Sequence, residues 1–346
     1  MEARRNDRMP VLRELDKIPT LYVENRPFFA YAGEVHNSSA SSPEYMEKHV
    51  WDKIEGLCLN TLLVPVYWEQ LEPEEGVFCY GLIDSLLDQA RQRNMRLVLL
   101  WFGLWKNGES MYVPGWMKQD SGKYFRVQNG KQEKINTISP LCNAAVEKDA
   151  VAFSHLMEYI RAKDEEHYTV IAVQVENEVG LLGSCRDHCR VAEEKFTMGI
   201  PEELAREYSV TGTWSEAFGE DAGEYFMAYY FASALEKITS RGREIYPLPC
   251  YTNAWLKQHP WYAGSYPSGG PIREVHRIWK LAAPSLFALA PDIYVPYTAD
   301  AMESYSYPGN PLFIPEVRKD AVTASYCLYA FLKLHAICYS PRIISL

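Results

Sequence analysis

Short apolar, β-rich runs alternate with amphipathic helical runs along the whole chain, and this alternation leaves few folds open. A helix between two strands returns the chain to the same end of the sheet, so the strands run parallel. The expected strands are Phe28 to Gly33 (ending at Glu34), Thr61 to Pro65, Arg96 to Phe102, Thr169 to Glu176, Leu248 to Asn253, Asp292 to Val295, Leu312 to Pro315 and Ala336 to Tyr339. The spacing predicts helices over Glu44 to Leu57, Leu82 to Arg93, Ala144 to Lys163, Glu224 to Arg241, Ile272 to Leu281 and Thr323 to Leu334. In the first of these, Met46, Val50 and Ile54 recur at helical spacing, and Pro43 stands at the helix start, where its missing N–H costs nothing. Eight strands in order with helices between them fit a (β/α)8 barrel of the α/β class better than an open doubly wound sheet. No G-x-G-x-x-G or G-x4-G-K-[ST] turn follows any strand, so a dinucleotide or P-loop site has no motif. An N-terminal extension, 1–20, precedes the barrel domain, 21–346. Long excursions, Gly103 to Pro140 and Gly180 to Gly223, are of a length that usually carries function.

Composition narrows the partners. A net charge of −10 argues against nucleic acid and anionic membrane surfaces. No apolar stretch reaches the ~20 residues of a membrane span, and Met1 to Leu15 is charged with no apolar signal core, which reads as cytoplasmic. The eight cysteines are then expected to stay reduced, most of them as small core residues. Cys185, His188 and Cys189 form a C-x2-H-C cluster without a fourth ligand nearby, so no metal site is assigned. The 24 tyrosines and 9 tryptophans suit either a large aromatic core or stacking on the apolar faces of sugar rings.

The chemistry sits at two strand ends. The run from Thr169 to Gln174 and Val175 delivers Glu176, Asn177 and Glu178, and the run Pro311 to Pro315 delivers Glu316. Strand tips of one face build the active site of such a barrel. Two carboxylates there are what retaining glycoside hydrolysis needs: one protonates the leaving oxygen, the other attacks the anomeric carbon. Asn177 can bond a sugar 2-hydroxyl, Tyr294 or Tyr297 can donate to Glu316, and Glu34 at the first strand tip is a sugar-binding candidate. Glu69 and Glu72 are further acids near a tip, with Glu72 to Glu75 read as a solvated turn.

These features together resemble the clan of retaining (β/α)8 glycosidases, nearest to the β-galactosidases of glycoside hydrolase families 35 and 42. The resemblance rests on Ala32 to Ser38, on the W-x3-E-P-x2-G-x-F element from Trp68 to Phe78, on Trp101 to Gly108, on Pro114-Gly115-Trp116, on Gln174 to Glu178 and on Asn310 to Glu316. It implies a retaining exo-glycosidase with Glu178 as acid/base and Glu316 as nucleophile, a β-linked oligosaccharide or glycoside as substrate, and no cofactor. Trp68 is implied as a substrate contact. Family 35 members carry Asn-Ala-Glu after strand three, where this chain has Phe102-Gly103-Leu104, so sugar contacts are expected from Glu34, Trp105 and Asn107 instead. Galactosides are the first expectation. Glucosides, xylosides or mannosides, and a non-catalytic sugar-binding barrel, are the alternatives.

The resembled enzymes continue past strand eight into β-rich domains, whereas this sequence stops at Leu346 and reads as a truncated or frame-shifted product lacking the last helix. The outer face of strand eight is then expected to be exposed. The chain should be marginal in stability or gain cover by self-association as a homo-oligomer.

Overall fold

A computed structural model of the chain describes residues 8–343. The beginning of the N-terminal extension, 1–7, and the last part of the closing segment, 344–346, lie outside the described residues. Eight parallel strands close into a barrel: β1 (Ala30–Glu34), β2 (Thr61–Tyr67), β3 (Arg96–Lys106), β4 (Val170–Asn177), β5 (Cys250–Trp255), β6 (Leu286–Ile293), β7 (Phe313–Val317) and β8 (Cys338–Pro341). Spatial order follows chain order, and β8 closes on β1 through Cys338 opposite Ala30. Every residue of β2 is buried, as expected of a strand covered by helices outside and by packed side chains inside.

The helices α1 (Gly81–Gln92), α2 (Asn143–Asp164), α3 (Ala222–Ile245) and α4 (Ala321–Lys333) belong to the outer layer. In α1, Ile83, Leu86, Leu87 and Ala90 recur at helical spacing and form the buried face. Asp320 caps α4 by accepting from the Thr323 N–H at 2.7 Å. Strands Val11–Leu15, Ile18–Val23 and Arg26–Pro27 form a small antiparallel sheet. Its Glu24 pairs with Arg96, the first residue of β3, at 2.6 Å, so this sheet sits at the N-terminal end of the barrel. No helix among the described residues is long and apolar enough to cross a membrane.

Three expectations change. β6 begins at Leu286, earlier than the sequence suggests, and runs through Pro291. Proline lacks a donor and alanine is a weak strand former, so Ala288-Leu289-Ala290-Pro291 gives little strand signal. β3 continues past Phe102 to Lys106. The exposed outer face expected of strand eight is not found. Cys338, Tyr339 and Ser340 are buried, and the Tyr339 hydroxyl donates to the Thr323 carbonyl at 2.6 Å. Exposed apolar side chains lie instead on α4, at Val322, Leu328 and Leu332, and at Phe29 and Tyr31 beside and within β1.

The extension of β3 has a local cause. Trp101 pairs with Val175, yet Lys106 pairs with Asn177, so three extra residues bulge out of β3. The bulge wraps a buried acid pair, Glu176 of β4 and Asp149 of α2. The Leu104 N–H donates to Asp149 (2.9 Å) and to Glu176 (3.0 Å), the Trp105 N–H to Glu176 (2.6 Å), and the Trp101 indole to Asp149 (2.8 Å). A Cβ on Gly103 would stand 2.5 Å from atoms of Asp149, Glu176 and Trp101. Only glycine fits there. Gly103→Ala is expected to destabilise the fold by about 3 kcal/mol through overpacking, read as a lower urea midpoint. An unchanged midpoint would show that the bulge yields freely.

Candidate active site

At the C-terminal face the strand ends converge on one cleft of about 330 Å³. Glu178 follows β4 with φ 44°, in the left-handed region that a non-glycine residue seldom adopts without a constraint. The constraint is visible: the Glu178 N–H donates to the Asn253 side-chain oxygen on β5 at 2.9 Å. The Asn253 amide then donates to Asp292 on β6 at 2.7 Å. Asp292 stands directly opposite Glu316 of β7 in the strand register. One Glu316 oxygen accepts from the Tyr294 hydroxyl at 2.7 Å and faces the Arg342 guanidinium, just beyond β8, at 3.7 Å. From β3, the buried Lys106 ammonium donates to Asn107 and, at 2.7 Å, to Asn177. Trp255, Leu256, Trp261 and Val295 make the apolar side of the cleft.

The two glutamates have different surroundings. Burial, and then the charge of Glu316, push the Glu178 carboxyl up to about 7, against the opposing pull of Lys106 and Arg342 and a hydrogen bond from Asp292. Glu316 has a hydroxyl donor and a cation on one oxygen, an arrangement that suits a carboxylate. Glu34 is buried at the tip of β1, and neither of its oxygens has a hydrogen-bond partner among the described residues. Burial and the nearby Glu316 hold it well above the usual carboxylate range. The Asn177 amide nitrogen is likewise without a partner. Buried polar groups are normally satisfied, so the unmatched oxygens of Glu34 and the unmatched amide of Asn177 are open positions beside the cleft. A larger depression, about 630 Å³, lies around Trp51, Glu55, Cys58 and Arg93. It sits at the entry to β2 and β3, away from the carboxylates.

The profile of glycoside hydrolase family 42, described as beta-galactosidase, matches residues 42–228, more than half of the chain. The chain belongs to glycoside hydrolase family 42. Of the two families it resembles in sequence, this is the one matched. A comparison with curated proteins gives no match. Among solved structures, the beta-galactosidase of Bacillus circulans sp. alkalophilus superposes with a TM-score of 0.63 at 16% identity, over 90% of this chain and 50% of that one. A family 42 beta-galactosidase from G. stearothermophilus gives 0.62 at 17%, over 90% and 51%. The catalytic domain of beta-amylase from Paenibacillus polymyxa gives 0.65 at 9%, over 90% and 92%. At these identities the likeness is one of fold. The family 42 chain described here spans about half the length of the beta-galactosidases it matches.

Glu178, Glu316, Asn107 and Tyr294 line the cleft, Asn177 is tied to it through Lys106, and Glu34 lies close enough to Glu316 to feel its charge. Three expected sugar contacts do not reach it. Trp68 is fully buried, packs on Trp101 and Trp116, and donates to Glu72 at 2.7 Å. Trp105 is fully buried against Phe231 and donates to the Ile138 carbonyl, because the β3 bulge turns it outward into the helix layer. Tyr297 lines a separate, smaller cleft with Lys257 and Arg273. Glu72 is buried rather than solvated, held by Trp68 and the Gly76 N–H, while Glu69 pairs with Lys118 at the surface. In the cysteine cluster, Cys189 faces Asp187 and His188 faces Glu193. Lys106, Asn253, Asp292 and Arg342 escape the sequence reading. The usable signals were a lysine closing an apolar strand run and an aspartate ending one.

The acid pair beneath the cleft has a pH signature. Burial raises Asp149, and burial together with the charge of Asp149 raises Glu176 well above the usual range. The folded chain therefore keeps protons that the unfolded chain releases near pH 4. Their stability contribution is complete below that pH and is lost as pH rises toward the folded values. Melting temperature is expected to fall as pH rises above about 4, and Glu176→Gln, whose amide can donate to Asp149 as the protonated acid does, should flatten that fall. Equal slopes in both proteins would contradict the pair's role.

Proposed function

We propose that this family 42 chain hydrolyses terminal β-linked sugars, galactosides first, with retention of anomeric configuration. The observation that carries the reading is the unequal pair in one cleft. Glu178 keeps its proton up to about neutral pH, and Glu316 is faced by a hydroxyl and a guanidinium. In the first step a Glu316 oxygen attacks the anomeric carbon, the glycosidic C–O bond breaks, and Glu178 delivers its proton to the departing oxygen. In the second, Glu178 takes a proton from water, whose oxygen displaces Glu316. Asn177 is suited to hold the 2-hydroxyl, and Glu34 to accept from ring hydroxyls deeper in the cleft. Lys106 orients Asn177 by occupying its carbonyl oxygen.

A panel of aryl β-glycosides tests the reading. Release of aryl alcohol is expected, greatest for the galactoside among galactoside, glucoside, xyloside and mannoside. Greater turnover of another sugar would keep the mechanism and change the specificity. Sugar binding without any turnover would support a non-catalytic barrel instead.

A further inference from the structure

Asp292 has no part in the two-carboxylate scheme, yet it is the most acid-crowded side chain of the cleft. It is buried at the tip of β6. One of its oxygens accepts from Asn253, the same residue whose carbonyl oxygen fixes the Glu178 backbone. Asn253 thus holds Asp292 and Glu178 in fixed relation, and the two carboxyls are within hydrogen-bonding reach of each other. The other Asp292 oxygen has no donor from any other group among the described residues. Two carboxylates so placed in a buried site cannot both be ionised without large repulsion, so a proton stays between them.

We infer that Asp292 and Glu178 form a proton-sharing dyad, in which Asp292 is a positioning residue that keeps the general acid armed above neutral pH. The inference rests on Glu178 being the acid/base. When the first proton of the pair is lost, the second moves between Glu178 and Asp292. With the proton on Glu178 the acid is ready for the leaving oxygen. Once Glu178 has given that proton to the leaving oxygen both carboxylates are ionised, a state relieved by the loss of the Glu316 charge in the glycosyl ester, and the proton that Glu178 then takes from water restores the shared one. Over one turnover the pair gives one proton to the aglycone and recovers one from water, so its proton count is unchanged. Other charged and titratable groups facing the pair are Glu34 from β1, Lys106 from β3, Tyr251 from β5, Tyr294 after β6, Tyr305 from the helix Thr298–Tyr305, Glu316 from β7 and Arg342 after β8. Lys106 and Arg342 favour ionisation of the pair, and Glu34 and Glu316 oppose it. None of these accepts from Asn253. This leaves Asp292 as the group tied to Glu178 by that shared amide.

The test is the pH profile of Asp292→Asn, which keeps the shape and a donor to Glu178 but removes the second titrating site. The alkaline limb of kcat/KM for a substrate with a poor leaving group is expected to move to lower pH by about one unit or more. For an activated aryl glycoside, which needs little acid help, the shift should shrink. Superimposable profiles for wild type and Asp292→Asn would overturn the dyad. A second readout needs no turnover. In protein carrying ¹³C-carboxyl aspartate, the Asp292 signal is identified by its loss in Asp292→Asn, and its titration midpoint is expected to move in Glu178→Gln. An unmoved midpoint would overturn the dyad even in an active enzyme. A moved midpoint in a chain without glycosidase activity would uphold the shared proton and count against the proposed function instead.

Discussion

Glu316→Gln is expected to lower kcat on aryl β-galactosides by on the order of 10⁴-fold or more, with no glycosyl-enzyme formed. An amide keeps the size of the side chain and can still accept from Tyr294, which bonds Glu316 at 2.7 Å, but it cannot attack the anomeric carbon. It also leaves Arg342, 3.7 Å from that oxygen, without its carboxylate. The loss should therefore appear in kcat for every leaving group, because the first step fails whatever departs. Pre-steady-state release of aryl alcohol would show it directly. A loss below about tenfold would remove Glu316 from the nucleophile's place, since only a group making the new bond carries so large a term.

Glu178→Ala is expected to behave differently. Acid help is worth about 10²–10⁴-fold, and most where the leaving group is a poor one. Slow turnover of alkyl or sugar aglycones should contrast with mild losses for activated aryl groups, whose first step needs no proton. With activated substrates the glycosyl-enzyme should accumulate, because no base remains to draw a proton from water. Added azide, a nucleophile that needs no base, should restore turnover and yield a β-glycosyl azide. Absence of that product would contradict the acid/base role of Glu178, whatever the size of the rate loss.

The sequence was most readable where a strand is buried on both sides. Runs such as Leu62 to Val66 and Val170 to Val173 are apolar throughout, so their polar ends stand out, and Glu178 and Glu316 follow from that contrast. It was least readable where the backbone departs from its period. The bulge of β3 shifts Trp105 into the helix layer and brings Lys106 opposite Asn177, and no alternation of side chains announces three extra residues. The bulge is imposed by Glu176 and Asp149, which lie far apart in sequence and read separately as an ordinary strand residue and an ordinary helix residue. Asp292 was hidden by Pro291, which moved the apparent strand to its far side and made a strand tip look like a strand start. Trp68 and Trp105 illustrate the ambiguity of aromatic residues near a strand end, where core packing and sugar stacking ask for the same side chain. Arg342 comes from a closing segment whose sequence has no strand or helix period, and only the barrel's closure brings it to Glu316.

The proposed mechanism turns on a covalent bond between Glu316 and the sugar. The direct measurement is peptide mass mapping after exposure to an activated, ring-fluorinated β-galactoside, which forms the glycosyl-enzyme readily and releases it slowly. One fluorosugar adduct per chain is expected, on the peptide containing Glu316, and none on the Glu316→Gln protein. An adduct on Glu178, Asp292 or Glu34, or turnover to the inverted sugar without any adduct, would contradict it.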